Sequence, residues 1–212
     1  MYENLSLVKT WAAANGVEIS PTQLALLACH KAMVLETNKH MNLTAITDPQ
    51  DFDVKHIIDS LTLLPYIKAG STLADVGTGA GFPGLILAIM REDLQITLID
   101  SLRKRVFFLQ DVVQALGLKN VTCVHTRAED LARQGITFDI CTARAVASLD
   151  KLAKWVLPIT RHTFLAMKGP NITDELTKAK PAIAKLGGQV ISVDSVEIAQ
   201  GLQHTILTIQ SM

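Results

Sequence analysis

The chain has 212 residues, 49% of them hydrophobic, with a mean hydropathy of +0.28 and no formal net charge, because 20 basic residues balance 20 acidic ones. This length and composition fit one domain, with or without an appendage, that buries a sizeable core. No apolar run reaches the ~18–20 residues of a membrane span, the first four residues lack the layout of a signal peptide, and the balanced charge confines any nucleic-acid contact to local basic patches.

The three cysteines, Cys29, Cys123 and Cys141, are widely spaced in apolar surroundings. An odd number of such cysteines predicts buried free thiols and no disulfide framework. Neither a CxxC nor an HxxxH pair occurs in the sequence, so we expect no metal site. Together these features predict a cytoplasmic protein that has neither a membrane nor a metal as partner.

Two helical patterns precede residue 71. Ser20-Pro21-Thr22-Gln23 has the cap, first-turn proline and third-position Gln of a helix start, and an apolar stripe follows it. A second pattern, at about His56–Ile67, ends near Gly70. We therefore expect residues 1–70 to form a helical extension, packed on a core domain of residues 71–212 at its substrate side.

The most informative segment, residues 73–84, joins an apolar run to a helical pattern that Pro83 opens. It places Asp75 near the end of the run and glycines at positions 77, 79, 81 and 84. Such glycines let the chain turn tightly from strand to helix and let a ligand touch bare backbone. The segment therefore predicts a site for a nucleotide-like small molecule at the carboxyl edge of a sheet.

Two ligand classes fit this segment. The spacing Gly79-x-Gly81-x-x-Gly84 matches the dinucleotide fingerprint of NAD and FAD enzymes. The spacing Asp75-x-Gly77-x-Gly79-x-Gly81 instead resembles the first motif of S-adenosylmethionine-dependent methyltransferases. A nearby carboxylate would repel a pyrophosphate but favours the ammonium and sulfonium of S-adenosylmethionine. The acid therefore favours S-adenosylmethionine, and a glycine turn that binds no ligand is the third possibility.

From residue 71 onward, short apolar runs alternate with amphipathic stretches. The predicted strands are Thr72–Val76, Gln95–Asp100, Val121–His125, Phe138–Thr142 and Thr163–Met167. The predicted helices are Pro83–Arg91, Arg103–Leu116 with Gly117 after its end, Glu129–Gln134, Leu149–Leu157 with Ser148 as its N-cap, and Ile172–Leu186. Strands joined by helical crossovers predict a parallel, doubly wound sheet.

The tail departs from this alternation. Gln189–Ile198 and Thr205–Leu207 are predicted strands, and the loop between them is too short for a helical crossover, so the pair must be antiparallel. A parallel sheet that ends in an antiparallel hairpin is typical of class I methyltransferases. The predicted fold is therefore α/β, a Rossmann-like class I S-adenosylmethionine-dependent methyltransferase fold. It has a mostly parallel seven-stranded sheet, a C-terminal antiparallel hairpin and an N-terminal helical extension.

Several residues at predicted strand ends are candidates for cofactor contacts. Asp100 closes the second strand, where a carboxylate accepts both ribose hydroxyls of an adenosine, whether of S-adenosylmethionine or of NAD. Ala128 and Glu129 follow the third strand and are candidates for the adenine edge. Phe82 is placed either to line the methionine side of the pocket or to be part of the ordinary core. Arg144, just past the fourth strand, should contact a carboxylate of the cofactor or the protein, or an RNA phosphate.

The absence of two signatures narrows the chemistry. After the fourth strand there is neither an Asn/Asp-Pro-Pro-aromatic sequence for amino-nitrogen methylation nor a Pro-Cys nucleophile for cytosine C5. The acceptor is therefore expected to be nucleophilic already, and guanine N7 fits because its lone pair attacks without prior loss of a proton. Catalysis then needs alignment and desolvation, with no catalytic nucleophile or base.

Seven segments together resemble one family. They are Asn42-Leu43-Thr44-Ala45-Ile46, His56-Ile57-Ile58-Asp59-Ser60-Leu61, the glycine segment Asp75–Gly84, Leu98-Ile99-Asp100-Ser101-Leu102-x-Lys104-Arg105, Arg127-Ala128-Glu129-Asp130, Phe138-Asp139-x-x-x-x-Arg144-Ala145 and Met167-Lys168-Gly169. In this order and spacing they resemble the bacterial 16S ribosomal RNA guanine-N7 methyltransferase G family, also called the glucose-inhibited division protein B family.

The resemblance implies methyl transfer from S-adenosylmethionine to a guanine N7 in the decoding-region loop of 16S rRNA, within the small ribosomal subunit or its assembly intermediate. It implies cofactor contacts by Gly77, Phe82, Ala128, Glu129 and Arg144, to which the glycine turn and strand pattern add Gly79 and Asp100. Lys168 and Arg105 are the candidates for RNA contact. Many relatives end in a basic tail, whereas this sequence ends at Gln210-Ser211-Met212.

Other functions fit parts of the same pattern. The zero net charge favours a methyltransferase for a small molecule or a protein as the alternative. A nicotinamide-dependent oxidoreductase and a cofactor-binding module without activity are the alternatives from other classes. We expect a monomer.

Overall fold

The computed structural model describes residues 5–211, and helices form its first part. The first two helices are α1 (Ser6–Ala14) and α2 (Pro21–Met41). A nearly continuous helical segment follows, made of α3 (Pro49–Phe52), a π-helical stretch (Asp53–Ile58) and α4 (Asp59–Leu61), and a 3₁₀ turn at Leu64–Tyr66 comes after it. Helices thus predominate in the described part of the predicted N-terminal extension, which confirms its helical character.

The start of α2 is the one that the sequence predicts. The Ser20 hydroxyl accepts the Gln23 N–H at 3.2 Å, and the Gln23 side chain accepts the Ser20 N–H at 2.9 Å, which is a complete capping box. The predicted second helix at His56–Ile67 was wrong in its start. Helical structure already begins at Pro49, because the Asp48 carboxylate accepts the N–H groups of the next turn.

Seven strands of the described residues form one sheet. They are β1 (Thr72–Val76), β2 (Gln95–Asp100), β3 (Val121–His125), β4 (Phe138–Arg144), β5 (Thr160–Lys168), β6 (Gly188–Ala199) and β7 (Leu202–Ser211). Their order is β3-β2-β1-β4-β5-β7-β6, with β1 to β5 parallel. β7 pairs antiparallel with both β5 and β6, so the predicted hairpin and the predicted fold class are confirmed.

Five helices accompany the strands: α5 (Gly84–Met90), α6 (Arg103–Leu116), α7 (Ala128–Arg133), α8 (Leu149–Val156) and α9 (Thr173–Lys185). The bounds of β1, β2, β3 and α6 match the predicted ones, and Gly117 ends α6 with a φ of +65°. Ser148 occupies the predicted N-cap position of α8, but its side chain makes no cap hydrogen bond. The Leu149 N–H instead donates to the Glu175 carboxylate at 2.6 Å.

The two faces of the sheet are covered by different helices. Leu27 and Val34 of α2 share a buried cluster with Leu73 of β1 and with α5 and α6, whereas α7, α8 and α9 pack on the other face. The N-terminal helices therefore contribute to the main core, and a domain boundary at residue 70 stays a prediction.

The cysteines of the described residues are free, as predicted, although Cys141 alone is fully buried. Burial raises the pKa of the Cys141 thiol to about 12 and that of Cys123 to about 11.

Within residues 5–211, we find no helix of the length and apolar character that a membrane crossing requires.

Candidate active site

The glycine turn connects β1 to α5 over a buried carboxylate. Gly77, Gly79 and Gly81 have φ values of +71°, +62° and +99°, which L side chains rarely adopt. Beneath them, one oxygen of Asp75 accepts the Thr78 hydroxyl at 2.6 Å and the Gly84 N–H at 2.8 Å. Complete burial raises the pKa of Asp75 to about 6. Asp75 thus stabilises the turn from beneath, and it does not line the cleft at the carboxyl ends of β1, β2 and β3.

The first cleft lies at the carboxyl ends of β1, β2 and β3, beside the glycine turn. Four predicted site residues line it, namely Gly77, Asp100, Ala128 and Glu129, together with Val76 and Ile99. Thr126, Val146 and Trp155 also line this cleft and were not predicted, because nothing in their local sequence sets them apart. The structure therefore brings the predicted adenosine contacts together at one place.

Asp100 links the first cleft to the glycine turn. Its Oδ1 accepts the Leu102 N–H at 2.8 Å, and its Oδ2 accepts the Gly79 N–H at 3.1 Å. The carboxylate is nearly buried, and the Arg105 guanidinium approaches the same Oδ2 at 3.5 Å. Asp100 therefore fixes the position of Gly79 while it keeps lone pairs for a ligand in the cleft.

These residues fit the adenosine part of S-adenosylmethionine. The Asp100 carboxylate at the end of β2 suits a pair of ribose hydroxyls, and Ile99 and Ala128 offer apolar surface for a base. Ala128 and Glu129 start α7, where backbone N–H groups have no acceptor within the helix. A Cβ at Gly77 would come 2.6 Å from Val146 Cγ2, so only glycine fits at this position in the turn.

Phe82 lies inside the protein and is not part of the first cleft's lining. Its ring stacks on His56, with a centroid distance of 4.3 Å and an angle of 6° between the planes, and it also contacts His30 and Phe52. The Arg144 guanidinium sits over the ring at 5.4 Å. Direct contact between Phe82 and the cofactor stays a prediction.

Arg144 lines a second cleft, at the carboxyl ends of β4 and β5. Its Nη1 donates to the Lys55 carbonyl at 2.7 Å and to Asp59 at 3.0 Å, and its Nη2 contacts His56 Nδ1 at 2.9 Å. The carboxylate predicted for Arg144 is thus found in the protein itself. Whether Arg144 also contacts the cofactor stays a prediction.

A buried polar network surrounds Arg144. Asp59 also accepts a hydrogen bond from His204 Nδ1, and His204 Nε2 lies 3.2 Å from the Thr62 hydroxyl. Burial, and then the charge of Arg144, lower the pKa of His56 to about 3, so its ring is neutral and its Nδ1 accepts from Arg144. Sequence reasoning missed Asp59 and His204 as partners, since they are far apart in the chain and no spacing connects them.

The two RNA candidates lie apart from each other. Lys168 lines the second cleft, where its Nζ donates to the Ala147 carbonyl at 2.9 Å and pairs with Glu175 at 2.7 Å. Arg144 aligns with Met167 across β4 and β5, so Arg144 and Lys168 end adjacent strands as predicted. Arg105 is on α6 beside Asp100. RNA contact by either residue stays a prediction.

Comparison with known protein families gives one match that covers most of the chain. A family model described as rRNA small subunit methyltransferase G matches residues 23–205. The ribosomal RNA small subunit methyltransferase G of Clostridium botulinum (strain Alaska E43 / Type E3) is 44% identical over 205 residues, which are 93% of this chain and 86% of that protein. The protein of the same name from Leuconostoc citreum (strain KM20) is also 44% identical, over 90% of this chain and 84% of its own length.

Solved structures with low sequence identity share the fold. Magnesium protoporphyrin IX methyltransferase from Synechocystis PCC 6803, solved with bound S-adenosylmethionine, superposes with a TM-score of 0.60 at 15% identity. The superposition covers 86% of this chain and 97% of the Synechocystis protein. A SAM-dependent methyltransferase from Aquifex aeolicus has a TM-score of 0.57 at 20% identity, over 81% of this chain and 97% of that one. The chain therefore has the fold of S-adenosylmethionine-dependent methyltransferases.

Removal of the Asp100 carboxylate tests the first cleft. Asp100→Ala should weaken S-adenosylmethionine binding by about 1.5–3 kcal/mol, or roughly ten- to hundredfold, measured by isothermal titration calorimetry. Asp139→Ala is the matched control, because Asp139 accepts two hydrogen bonds from Thr72 at the amino-terminal ends of β1 and β4, away from the first cleft. The control should lower stability and leave the affinity unchanged. Equal affinities of Asp100→Ala and wild type would remove Asp100 from the ribose site.

A bulky side chain in the glycine turn tests the backbone contact. Gly79→Val should abolish cofactor binding, because the φ of +62° is strained for valine and the side chain would occupy the ligand's approach. Gly117→Val is the control, because Gly117 has a similar φ of +65° and ends α6 away from the first cleft. No atom lies within 4 Å of the position that a Cβ would take there, so the variant imposes similar backbone strain without a steric clash. Calorimetry should find binding intact in this control. Retained binding by a folded Gly79→Val variant would contradict the turn's role.

Proposed function

The chain belongs to the rRNA small subunit methyltransferase G family, and from this membership and its first cleft we propose its reaction in detail. The protein transfers a methyl group from S-adenosylmethionine to N7 of a guanine in the decoding-region loop of 16S rRNA. Its substrate is the small ribosomal subunit or an assembly intermediate of it. The observation that carries the proposal is the meeting of Asp100, Ala128 and the glycine turn at one cleft in a chain of this family.

The residues of the first cleft bind and orient the cofactor. In the proposal, Asp100 accepts the ribose hydroxyls, Ala128 and Glu129 hold the adenine edge, and Gly77 presents bare backbone to the remainder. Gly79 does not line the cleft itself, but its N–H donates to Asp100 at the side of the cleft, and we propose that it adds a second stretch of bare backbone there. When bound, S-adenosylmethionine supplies a methyl group on a positively charged sulfur. Asp75, buried beneath the turn, and Asp100, at its side, make this region favourable for such a charge.

The protein does not need to remove a proton from the target. Guanine N7 has a free lone pair, so alignment and exclusion of water suffice for the transfer. His56 is neutral and hydrogen-bonded to Arg144 and to the Thr44 hydroxyl, and His204 is held by Asp59. We therefore assign these groups to positioning and propose no catalytic nucleophile or base.

RNA binding in this proposal relies on local charge. Arg103 and Lys104 begin α6 immediately after the first cleft, and their side chains are exposed. Lys168 and Arg105 are the other candidates, although both pair with carboxylates within the protein. Since the chain has no net charge, we propose that the exposed basic patch formed by Arg103 and Lys104 beside the first cleft contacts the RNA. We further propose that the protein acts in the cytoplasm as a monomer.

The direct test uses radiolabelled S-adenosylmethionine and small ribosomal subunits that lack the modification. The label should enter 16S rRNA, and cleavage specific for 7-methylguanine should place it at one guanine of the decoding-region loop. Parallel reactions with free 16S rRNA and assembly intermediates identify the preferred form, and large subunits serve as the control. Label that enters a protein or small molecule and no RNA would favour the alternative that the zero net charge suggests.

A further inference from the structure

Phe107 is the aromatic side chain that α6 leaves in solvent. It is 57% exposed, whereas the other Phe, Tyr and Trp side chains among residues 5–211 are buried or half-buried. Its chain neighbours Val106 and Phe108 are buried, so Phe107 lies on the outer face of the helix. Single apolar side chains are common on protein surfaces. The surroundings of Phe107 therefore decide whether its ring has a role.

Two exposed cations lie next to Phe107 on the same helix. Arg103 precedes it by four residues and Lys104 by three, which are the spacings that bring side chains together on a helix surface. Within the part of the chain that the structure describes, neither cation forms an ion pair with a carboxylate. Lys104 only reaches the Met41 carbonyl, at 3.5 Å. Both charges are therefore available to an anion from outside the protein.

This surface begins at the rim of the first cleft. Ser101 lines the cleft, and Arg103 starts α6 two residues later. Phe107 lies about 6 Å further along the helix axis, at ~1.5 Å per residue. The next acidic residue of α6 is Asp111, about one turn beyond Phe107. We call Arg103, Lys104 and Phe107 the α6 surface, which places two cations and a ring between the cleft and that acid.

The α6 surface has the chemistry of a site for unpaired RNA. Proteins that bind single-stranded RNA combine cations for the phosphates with exposed aromatic rings on which bases stack. A protein partner needs a broader apolar patch, since a stable interface buries about 800 Å² on each side. Near the start of α6, the one other large apolar side chain that is exposed is Leu102, at 45%. The charges and the ring together therefore favour an RNA strand over a protein.

We propose that Phe107 stacks on an unpaired base of the substrate RNA close to the target guanine, and that Arg103 and Lys104 hold the phosphates beside that base. This inference rests on the proposed function, in which the two cations already contact RNA. Phe107 adds a contact with a base that does not depend on charge. Stacking accepts any of the four bases, because each has a flat face. The contact therefore adds affinity and holds the strand at the rim of the first cleft without selecting a sequence.

Substitutions that remove or keep an aromatic ring test the stacking. Phe107→Ala and Phe107→Leu should both raise the KM for small subunits by about tenfold, because neither side chain offers a flat face to a base. Phe107→Trp should keep the wild-type KM, since its ring also stacks. The kcat at saturating subunits should stay within about twofold of wild type in all three variants, because the contact holds the RNA equally before and during methyl transfer. Steady-state incorporation of label from S-adenosylmethionine measures both constants.

The dependence on salt separates the ring from the cations. Binding through phosphates weakens as salt rises, and loss of one phosphate contact reduces the slope of log affinity against log salt by about 1. Arg103→Ala should therefore bind small subunits with a smaller salt slope than wild type. Phe107→Leu should bind them more weakly at every salt concentration, with an unchanged slope. Filter binding of labelled subunits between about 50 and 200 mM salt measures these slopes.

Ile191→Ala is the matched control for removal of an exposed apolar side chain. Ile191 is 53% exposed on β6, at the edge of the sheet opposite to β3, which α6 contacts. This variant should have the KM and the salt slope of wild type. S-adenosylhomocysteine, measured by calorimetry, should bind every variant as it binds wild type, and thermal unfolding establishes that each variant is folded.

The outcomes distinguish a base from other partners of Phe107. A wild-type KM for Phe107→Leu would overturn the inference: if Phe107→Ala is impaired, the contact is merely apolar, as with a ribosomal protein, and if it is not, there is no contact. Impairment of Phe107→Trp equal to that of Phe107→Ala would overturn it as well, as would a smaller salt slope or lost S-adenosylhomocysteine affinity in Phe107→Leu. If wild type binds the subunits but modifies no RNA, the proposed function fails, and the filter binding of the Phe107 variants still decides the inference.

Discussion

The buried carboxylate of Asp75 is the constraint on which the glycine turn, and with it the first cleft, depends. It holds the Thr78 hydroxyl and the Gly84 N–H, and so fixes the two ends of the glycine turn. Gly84 permits this approach, because a Cβ there would come 2.8 Å from the Asp75 oxygen and 2.3 Å from Leu98. The turn then presents the Gly79 N–H to Asp100, which joins the ends of β1 and β2.

The N-terminal helices complete the site and do more than cover the sheet. His30 of α2 hydrogen-bonds to the Ala80 carbonyl in the glycine turn at 2.9 Å. His56 stacks on Phe82, which follows the glycine turn. Asp59 connects Arg144 of β4 with His204 of β7. The segment from Asp53 to Leu61 therefore connects β4 with β7 of the C-terminal hairpin. A π-helix within this segment agrees with the frequent occurrence of such turns at functional sites.

Local signals in the sequence were sufficient for most of the fold and for the first cleft. Buried strands such as β1 and β2 are short apolar runs between turn residues, and the glycine spacing marks the turn between strand and helix. Helix α1 was not predicted because no side chain caps its start. The carboxylate partner of Arg144 could not be predicted, since Asp59 is 85 residues from Arg144 in sequence and meets it only through the packing of the extension on the sheet.

The central claim is that the first cleft binds S-adenosylmethionine. Its most direct test is the change in backbone amide shifts of the isotopically labelled protein on titration with S-adenosylhomocysteine. We expect the largest changes at Gly77, Gly79, Ser101, Ala128 and Glu129, all at or beside the first cleft. Changes centred on Lys168, Gly169 and Leu202, with the first cleft unaffected, would contradict it.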